Sequence, residues 1–347
     1  MQLRILFAAC VALLAPSAAL GANHQTYQTR PIQLGTSGGN VNDVSHAFCC
    51  SGTLGSLVTN GSTQYILSNN HVLARVNQAA TGEAVSQPGL VDLSCSVPPA
   101  DYVANLTRFV PIDFSRGATN TVDCAIAQVI AGDVDPNGTI LDIGTISSIV
   151  ATATVGLAVE KSGRTTAVTT GSVTGVNATV SVQYQLGCGS GRKATATFVN
   201  QVVFTNISGG GDSGSLILTN SSCHQPVALL FAGSSSTTIG NPAGAVLSAL
   251  GGLNFVGGQC ANAAPSFQPD PANDVALRHG IEVQNRNTAR LMQIQGVVGT
   301  AIGKDETGRY VVQVFLENDA PGLRGQIPAF TEDLNTRPIV TGTIEAY

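Results

Sequence analysis

The chain has 347 residues, of which 11% are charged, and its 16 basic and 21 acidic residues give a net charge of −5. A chain of this length has room for more than one domain, since domains typically use roughly 100 to 200 residues. The net negative charge and the absence of any basic run longer than Arg192-Lys193 argue against a nucleic-acid-binding protein, which would need a basic surface. Few charges and many Gly, Ser, Thr, Val and Ala residues favour short strands joined by tight turns. The predicted fold class is mainly β.

Residues 1–21 have the pattern of a signal peptide. They begin with a basic residue, Arg4, and continue through the apolar run ILFAACVALLA to Pro16. They end in small residues, with the predicted cleavage after Gly21. A membrane anchor is the alternative, but the run is too short to cross roughly 30 Å of hydrocarbon, and Pro16 interrupts it. No later apolar stretch is long enough to span a bilayer. We therefore expect a secreted, extracellular protein, with a periplasmic location as the alternative, and no integral membrane segment.

A predicted N-terminal extension over 22–47 precedes a long region rich in strand-forming runs. From 48 to 256, runs such as QYILSN, VDCAIAQVI and PVALLFAG are separated by Gly, Asn and Pro, a spacing typical of a barrel or a sandwich. The region divides near 145–155 into two stretches of similar length, 48–150 and 151–256.

Seven cysteines follow the signal peptide, and in an exported chain they are disulfide candidates first. Cys124 lies in an apolar run and is expected to be a small buried thiol. The six candidates for up to three bridges, whose pairing the sequence does not decide, are Cys49, Cys50, Cys95, Cys188, Cys223 and Cys260. A zinc site is the alternative, but no pair has the two-residue spacing that clusters thiolates, so we expect no metal and no cofactor.

The last part of the chain has a different composition. Residues 257–273 are small, rich in proline and without periodicity, and we interpret them as a linker. A helix is predicted over about 273–293 from its two opposed faces, and the apolar runs GVVGTAIG, YVVQVFL and IVTGTIEA follow. We interpret 274–347 as a small C-terminal α/β domain, a helix on a small sheet.

The segment 208–215, SGGGDSGS, carries the first sign of chemistry. Glycines can adopt φ values closed to other residues, so the backbone N–H groups of Gly211 and Ser213 can converge on one point as an oxyanion hole. Ser213 would present its hydroxyl beside them. Taken alone, such a Gly- and Ser-rich loop is often only a turn between strands.

Two further segments supply a base and a carboxylate. His71 lies just past the apolar run that ends at Leu67, in LSNNHVLA. Asp123 precedes the apolar run CAIA, and a carboxylate that enters a buried strand needs a partner because an unpaired buried charge costs several kcal/mol. His71 would be that partner. The other histidines lie in segments with no comparable pattern: His24, His46, His224 and His279.

The order His71, Asp123, Ser213, with separations of 52 and 90 positions, resembles the chymotrypsin-like serine peptidases, which carry GDSG at the nucleophile. The likeness covers about 48–256. More narrowly, the chain is similar to a group of bacterial and plant trypsin-like peptidases with an attached small domain. The matching stretches are GTLGSLV, LSNNHVLA, SQPGLVD, VEKSGRTTAVTTGSV, GDSGSLI and LLFAGSSSTTIGNP, with GVVGTAIG and VTGTIEA in the small domain.

The resemblance implies two six-stranded antiparallel β-barrels, over 48–150 and 151–256, with the site in the cleft between them. It also implies roles for the site residues. Ser213 would be the nucleophile, His71 the general base and acid, Asp123 the carboxylate that orients it, and the Gly211 and Ser213 amides the oxyanion hole.

The chain departs from the family in three ways. Val72 follows His71 where animal enzymes have a disulfide cysteine. The predicted mature chain lacks the IVGG-like start whose freed amine pairs with the Asp before the Ser, so Asp212 needs another partner. The small domain follows the peptidase part, whereas in similar proteins it precedes it.

One position in the resemblance to these peptidases bears on which substrate side chain the primary pocket would accept. Six residues before Ser213, where a trypsin has a carboxylate, this chain has Ile207, which is consistent with an apolar or small pocket and not with one for Lys or Arg. Lys161, Arg164 and Thr165 lie in and beside a GRTT segment that we interpret as a turn entering the second barrel.

The combined prediction is a secreted serine endopeptidase that acts on protein or peptide substrates through an acyl-enzyme intermediate. One alternative is a catalytically inactive protein of the same fold with a binding or structural role, since a fold does not guarantee a function. Another is a β-rich adhesin or carbohydrate-binding module, in which His71 would lie far from Ser213. Ester hydrolysis by the same triad is a third.

Overall fold

Runs of apolar and β-branched residues form most of the regular structure. The computed structural model describes residues 23–260 and 274–347, so the predicted signal peptide and most of the predicted linker lie outside the described residues. The strands up to residue 129 are β1 (Thr36–Asn40), β2 (Gly52–Leu54), β3 (Ser56–Thr59), β4 (Gln64–Ser68), β5 (Ala84–Ser86), β6 (Tyr102–Phe109), β7 (Thr119–Asn120) and β8 (Ala125–Val129). The strands from 158 to 255 are β9 (Ala158–Gly163), β10 (Ala167–Gln185), β11 (Lys193–Thr205), β12 (Leu216–Thr219), β13 (Pro226–Gly233), β14 (Thr237–Pro242) and β15 (Asn254–Phe255).

The remaining elements complete the description. The strands after residue 296 are β16 (Val297–Lys304), β17 (Tyr310–Leu316), β18 (Phe330–Thr331), β19 (Leu334–Val340) and β20 (Ile344–Ala346). The α-helices are α1 (Asn70–Leu73), α2 (Ala243–Ala249), α3 (Val275–Met292) and α4 (Pro321–Arg324), and short 3₁₀ helices cover Leu90–Leu93 and Pro99–Asp101.

The first barrel closes because one of its strands is bent. β2 and β3 flank Gly55; β2 pairs with β1 and β3 with β4, and the circuit runs through β8, β6 and β5 back to β1. Gly55 is required at the bend, since a Cβ there would lie 1.8 Å from the carbonyl oxygen of Gly214. Leu57, Ile66 and Ile126 are buried in one apolar cluster, where each such side chain contributes about 1.5–3 kcal/mol.

The second barrel is closed by a long hairpin. Its order is β10-β9-β12-β13-β14-β11, and β11 pairs back onto β10. β10 pairs with β9 over its first residues and with β11 farther on, and register shifts between Val173 and Val180 bend it between the two partners. Both barrels thus have six strands, and the predicted mainly β fold with two six-stranded barrels is confirmed.

The C-terminal strands extend the second barrel. β16 pairs antiparallel with β10, and β17, β19 and β18 follow outward in the same sheet. α3, close to the helix predicted over about 273–293, begins after the capping residue Asp274. Its buried Val283 and Leu291 belong to the same apolar cluster as Val173 of β10. The core of the second barrel therefore continues beneath α3.

Strand pairing crosses the boundaries predicted from the sequence. β1 lies in the predicted extension 22–47, yet it is a strand of the first barrel. β15 lies in 151–256 and pairs with β3 of the first barrel. The predicted small sheet of 274–347 is continuous with the second barrel, because β10 offers it a free edge. A separate domain beginning at 274 stays a prediction.

Three disulfides link segments that are distant in sequence. Their pairs are Cys49–Cys95, Cys50–Cys188 and Cys223–Cys260, which are the six predicted candidates. Cys124 is a buried free thiol, as expected, and burial raises its pKa far above the usual range. None of the helices in the described residues combines the length and the apolar character needed to cross a membrane.

Candidate active site

The pairing of β4 with β8 brings His71 and Asp123 together. His71 lies in α1, immediately after β4, and Asp123 stands two residues before β8. The imidazole Nδ1 lies 2.6 Å from Asp123 Oδ2, and the backbone N–H of His71 donates to Oδ1 at 3.3 Å. The Asp123 side chain is fully buried and that of His71 is 9% exposed. The sequence-based inference that these two residues are partners agrees with this geometry.

The electrostatics of the pair favour the protonated imidazole. Burial acts to lower the pKa of His71, but the Asp123 charge, its hydrogen bond and the Tyr347 carbonyl outweigh burial and raise that pKa above its ordinary value. A base of this kind accepts a proton readily and becomes a stabilised imidazolium.

Asp123 has a third donor that sequence reasoning missed. The hydroxyl of Tyr184, on β10, donates to Asp123 Oδ2 at 2.8 Å from a fully buried position. Burial and the neighbouring carboxylate raise the pKa of Tyr184 well above its usual value, so the hydroxyl remains a donor. The backbone of Asp123 is fixed as well, because its N–H donates to Asn241 Oδ1 at 3.0 Å and its carbonyl accepts from Asn69 Nδ2 at 2.7 Å. Both barrels therefore position this carboxylate.

The loop 208–215 connects β11 with β12 and is fixed on both sides. Thr165 Oγ1 donates to the Gly210 carbonyl at 2.6 Å, and Thr53 Oγ1 donates to the Gly211 carbonyl at 2.9 Å. Since the N–H and C=O of one trans peptide point in opposite directions, the first bond turns the Gly211 N–H away from Thr165. Gly211 has a φ of +97°, which glycine adopts without strain. Neither the Gly211 nor the Ser213 amide donates a hydrogen bond within the described residues.

Asp212 has a buried cationic partner. Its carboxylate lies 3.3 Å from Lys161 Nζ, and both side chains are fully buried. The turn between β9 and β10 supplies the other donors: the Thr165 and Thr166 amides lie 2.8 and 3.1 Å from Oδ1, and the Thr166 hydroxyl lies 2.6 Å from Oδ2. The GRTT segment is a turn, as predicted, and it also supplies the partner that Asp212 was expected to need. The available signal in the sequence was Lys161 itself, a charged residue beside the GRTT segment in a chain with few charges.

Ser213 does not bond to His71 among the described residues. Its side chain is buried, and Oγ donates to the carbonyl oxygen of Phe231 on β13 at 3.2 Å. The Nε2 of His71, which would face the nucleophile, lies 3.0 Å from the carbonyl oxygen of Tyr347. The last strand of the chain thus pairs with β13, the strand whose carbonyl accepts from the serine, and the residue after it contacts the histidine.

A cavity of about 380 Å³ opens beside these groups. His71, Gly211 and Tyr347 line it, as does the Cys50–Cys188 disulfide. Ile207, the predicted pocket residue, is buried in the apolar cluster of the second barrel, and the Tyr347 side chain packs against that same cluster. A role for Ile207 in the pocket stays a prediction.

The arrangement has the groups that acyl transfer requires. A hydroxyl, a histidine fixed by a buried carboxylate and two free amides on a glycine loop lie where the barrels meet. The fold is chymotrypsin-like. Among the described residues, no group of three or more His, Cys, Asp or Glu side chains could hold a metal ion.

Comparison with solved structures gives matches among bacterial serine proteases. One is a glutamic-acid-specific serine protease described as using a histidine triad in substrate binding, with 25% identity and a TM-score of 0.44, covering 65% of this chain and 100% of that one. Protease A of Thermobifida fusca has 21% identity and a TM-score of 0.45, covering 65% of this chain and 99% of its own. A chymotrypsin of Cellulomonas bogoriensis has 21% identity and a TM-score of 0.41 over the same shares. No protein-family model and no curated protein matches the chain.

Proposed function

We propose that the chain is a secreted serine endopeptidase that hydrolyses peptide bonds through an acyl-enzyme intermediate. The observation that carries the proposal is the buried His71–Asp123 pair, with an Nδ1–Oδ2 distance of 2.6 Å, placed next to the loop that carries Ser213. Three disulfides favour an oxidising compartment and so support export.

The reaction follows from the roles of the groups. Ser213 Oγ attacks the substrate carbonyl carbon while His71 Nε2 takes the hydroxyl proton, and the amides of Gly211 and Ser213 stabilise the oxyanion. The C–N bond then breaks, and His71 returns the proton to the leaving amine. Water, deprotonated by the same histidine, hydrolyses the ester that remains and regenerates the serine. Asp123 fixes the tautomer of His71 and stabilises its charge throughout.

The second candidate is an inactive binding protein of the same fold. The hydrogen bond from Ser213 Oγ to the Phe231 carbonyl, and not to His71, favours this reading. The two candidates differ in whether Ser213 is an activated nucleophile, which a serine-directed reagent measures directly.

The test is labelling with a fluorophosphonate, followed by peptide mass spectrometry. We expect one adduct, on Ser213, and a loss of labelling rate of at least about a thousandfold in His71→Ala, because the hydroxyl then has no base. Ser213→Ala is the control for the site of modification. The labelling is run both on the full chain and on a chain that ends at Glu345, since Tyr347 lies on His71. Folded protein that gives no adduct in either form would refute the proposal and favour the binding protein.

A further inference from the structure

The last strand of the chain lies in the candidate site as a short peptide would. β20 pairs antiparallel with β13, with Glu345 opposite Gly233 and Ala346 opposite Ala232. On its other side it pairs in parallel with β10, where Ile344 lies opposite Val182. On that edge of β13, β12 and the residues just before it form backbone hydrogen bonds as far as Leu230, so the edge beyond Leu230 is open to an added strand. Main-chain pairing of this kind is a general mode of peptide recognition.

The residue after this strand reaches the reactive groups. The Tyr347 carbonyl oxygen lies 3.0 Å from His71 Nε2, the ring nitrogen opposite the one that contacts Asp123. A substrate peptide paired along β13 in the same register would thus place a backbone carbonyl next to His71. That carbonyl would belong to the peptide residue that takes the position of Tyr347. The phenol of Tyr347 donates to the Ser234 carbonyl at 2.9 Å.

The surroundings of the phenol fit an aromatic side chain. Gly233 gives the ring its space, since a Cβ there would lie 2.7 Å from the Tyr347 hydroxyl and 2.9 Å from its ring. Burial raises the pKa of Tyr347 to about 12, which keeps the hydroxyl protonated as a donor. The ring packs against the apolar cluster of the second barrel.

The pocket offers little to a basic side chain. Asp212 is the acidic group of the adjoining loop, and both of its oxygens are occupied, by Lys161, by the Thr165 and Thr166 turn and by the Gly209 amide. A lysine or arginine would therefore lose its hydration without gaining a free carboxylate. An acidic side chain would likewise gain no free cation, because Lys161 is already paired with Asp212.

We infer that the site selects peptides with a tyrosine or phenylalanine at the residue whose carbonyl is attacked, and that residues 344–347 are the chain's own occupant of that groove. The inference rests on the proposed peptidase function. It makes the full chain self-inhibited: β20 occupies the edge of β13 and Tyr347 contacts His71, so a substrate must displace the Tyr347 side chain before it can bind.

The first experiment measures occupancy through the rate of fluorophosphonate labelling at Ser213. Tyr347→Ala and the chain that ends at Glu345 are expected to label at least tenfold faster than the full chain. Phe330→Ala is the matched control, because it removes an aromatic ring that is 61% exposed on β18, and its rate is expected to be unchanged. Thermal unfolding of each variant checks that it is folded. Equal labelling rates for the full chain and both tail variants would overturn the inference while leaving the peptidase function intact.

The second experiment measures the preference of the shortened chain. Fluorogenic peptides that differ only at the residue before the cleaved bond are compared, and kcat/KM is expected to be at least tenfold higher for Tyr and Phe than for Ala, Arg or Glu. A synthetic peptide Gly-Thr-Ile-Glu-Ala-Tyr, the sequence of 342–347, should bind the shortened chain, and the same peptide ending in Ala should bind at least tenfold more weakly.

The outcomes separate the two claims. Cleavage with a preference for Ala, Arg or Glu would overturn the inference alone. Binding of the Tyr peptide to a shortened chain that neither labels nor cleaves would refute the peptidase function and support the groove as a peptide-binding site. Equal binding of the two synthetic peptides would show that the space beside Gly233, which the Tyr347 ring fills, does not select an aromatic side chain.

Discussion

The Asp123 carboxylate accepts hydrogen bonds from Tyr184 as well as from His71. Its oxygens accept from the His71 ring and backbone and from the Tyr184 hydroxyl. The Tyr184 ring is itself held by aromatic contacts with Phe114 and Phe198 and lies edge-on to His71. Tyr184 is therefore a positioning residue: it acts on the candidate base through its hydrogen bond to Asp123.

Tyr184→Phe tests that role because it removes one hydroxyl and keeps the ring. A hydrogen bond to a charged group contributes about 1.5–3 kcal/mol, so we expect a fall in stability within that range. Loss of the donor also leaves more negative charge on the Asp123 oxygens that face His71, which raises the pKa of the imidazole. Since labelling needs the neutral base, the midpoint of its pH profile should move to higher pH. An unshifted profile with reduced stability would make Tyr184 a purely structural residue.

At the scale of elements, the turn between β9 and β10 fixes the loop that carries Ser213. Lys161 and Asp212 form an ion pair that is fully buried, and Thr165 orients the Gly210–Gly211 peptide. A broken buried pair is costly because the remaining charge has lost its counter-ion in a place that water does not reach. The conformation of the loop thus depends on a segment about fifty positions earlier in the chain.

Lys161→Met should lower the free energy of unfolding by about 3–5 kcal/mol, because Asp212 is left as an unpaired buried charge. The combined change Lys161→Met with Asp212→Asn should recover part of that stability, yet labelling of Ser213 should stay low because the loop has lost its ionic anchor. Arg286→Met is the control, since its pair with Glu332 is largely exposed and should contribute little. Chemical unfolding and labelling rates measure both effects. Full recovery of labelling in the double variant would contradict the role of the pair.

The elements that sequence reasoning predicted are those with local signals. Apolar runs bounded by Gly and Pro mark the strands, and His71 and Asp123 stand beside runs that pair as β4 and β8. Tyr184 has no such signal, because its partner depends on how the β10–β11 hairpin folds over the first barrel. The same holds for Tyr347, whose contact with His71 spans 276 positions. Interactions that depend on barrel closure and on the free edge of β10 cannot be predicted from a local sequence pattern.

At the scale of the whole molecule, the candidate site depends on how the barrels are joined. His71 and Asp123 come from the first barrel, and Ser213, Tyr184 and the occupying strand β20 come from the second sheet. The Cys50–Cys188 disulfide spans 138 positions and ties the segment between β1 and β2 of the first barrel to the loop after β10. Because this disulfide also lines the cavity, its removal should change both the stability of the fold and the geometry of the site.

Replacing Cys50 and Cys188 together by serine should lower the free energy of unfolding by about 2–4 kcal/mol, since the unfolded chain regains the freedom of a long loop. It should also slow labelling of Ser213 in the chain that ends at Glu345, because the wall of the cavity is released. The matched control replaces Cys223 and Cys260, whose bridge spans 37 positions and does not line the cavity. That variant should lose stability but label at the rate of its parent. Equal slowing in both double variants would show that labelling follows global stability and not the junction of the two barrels.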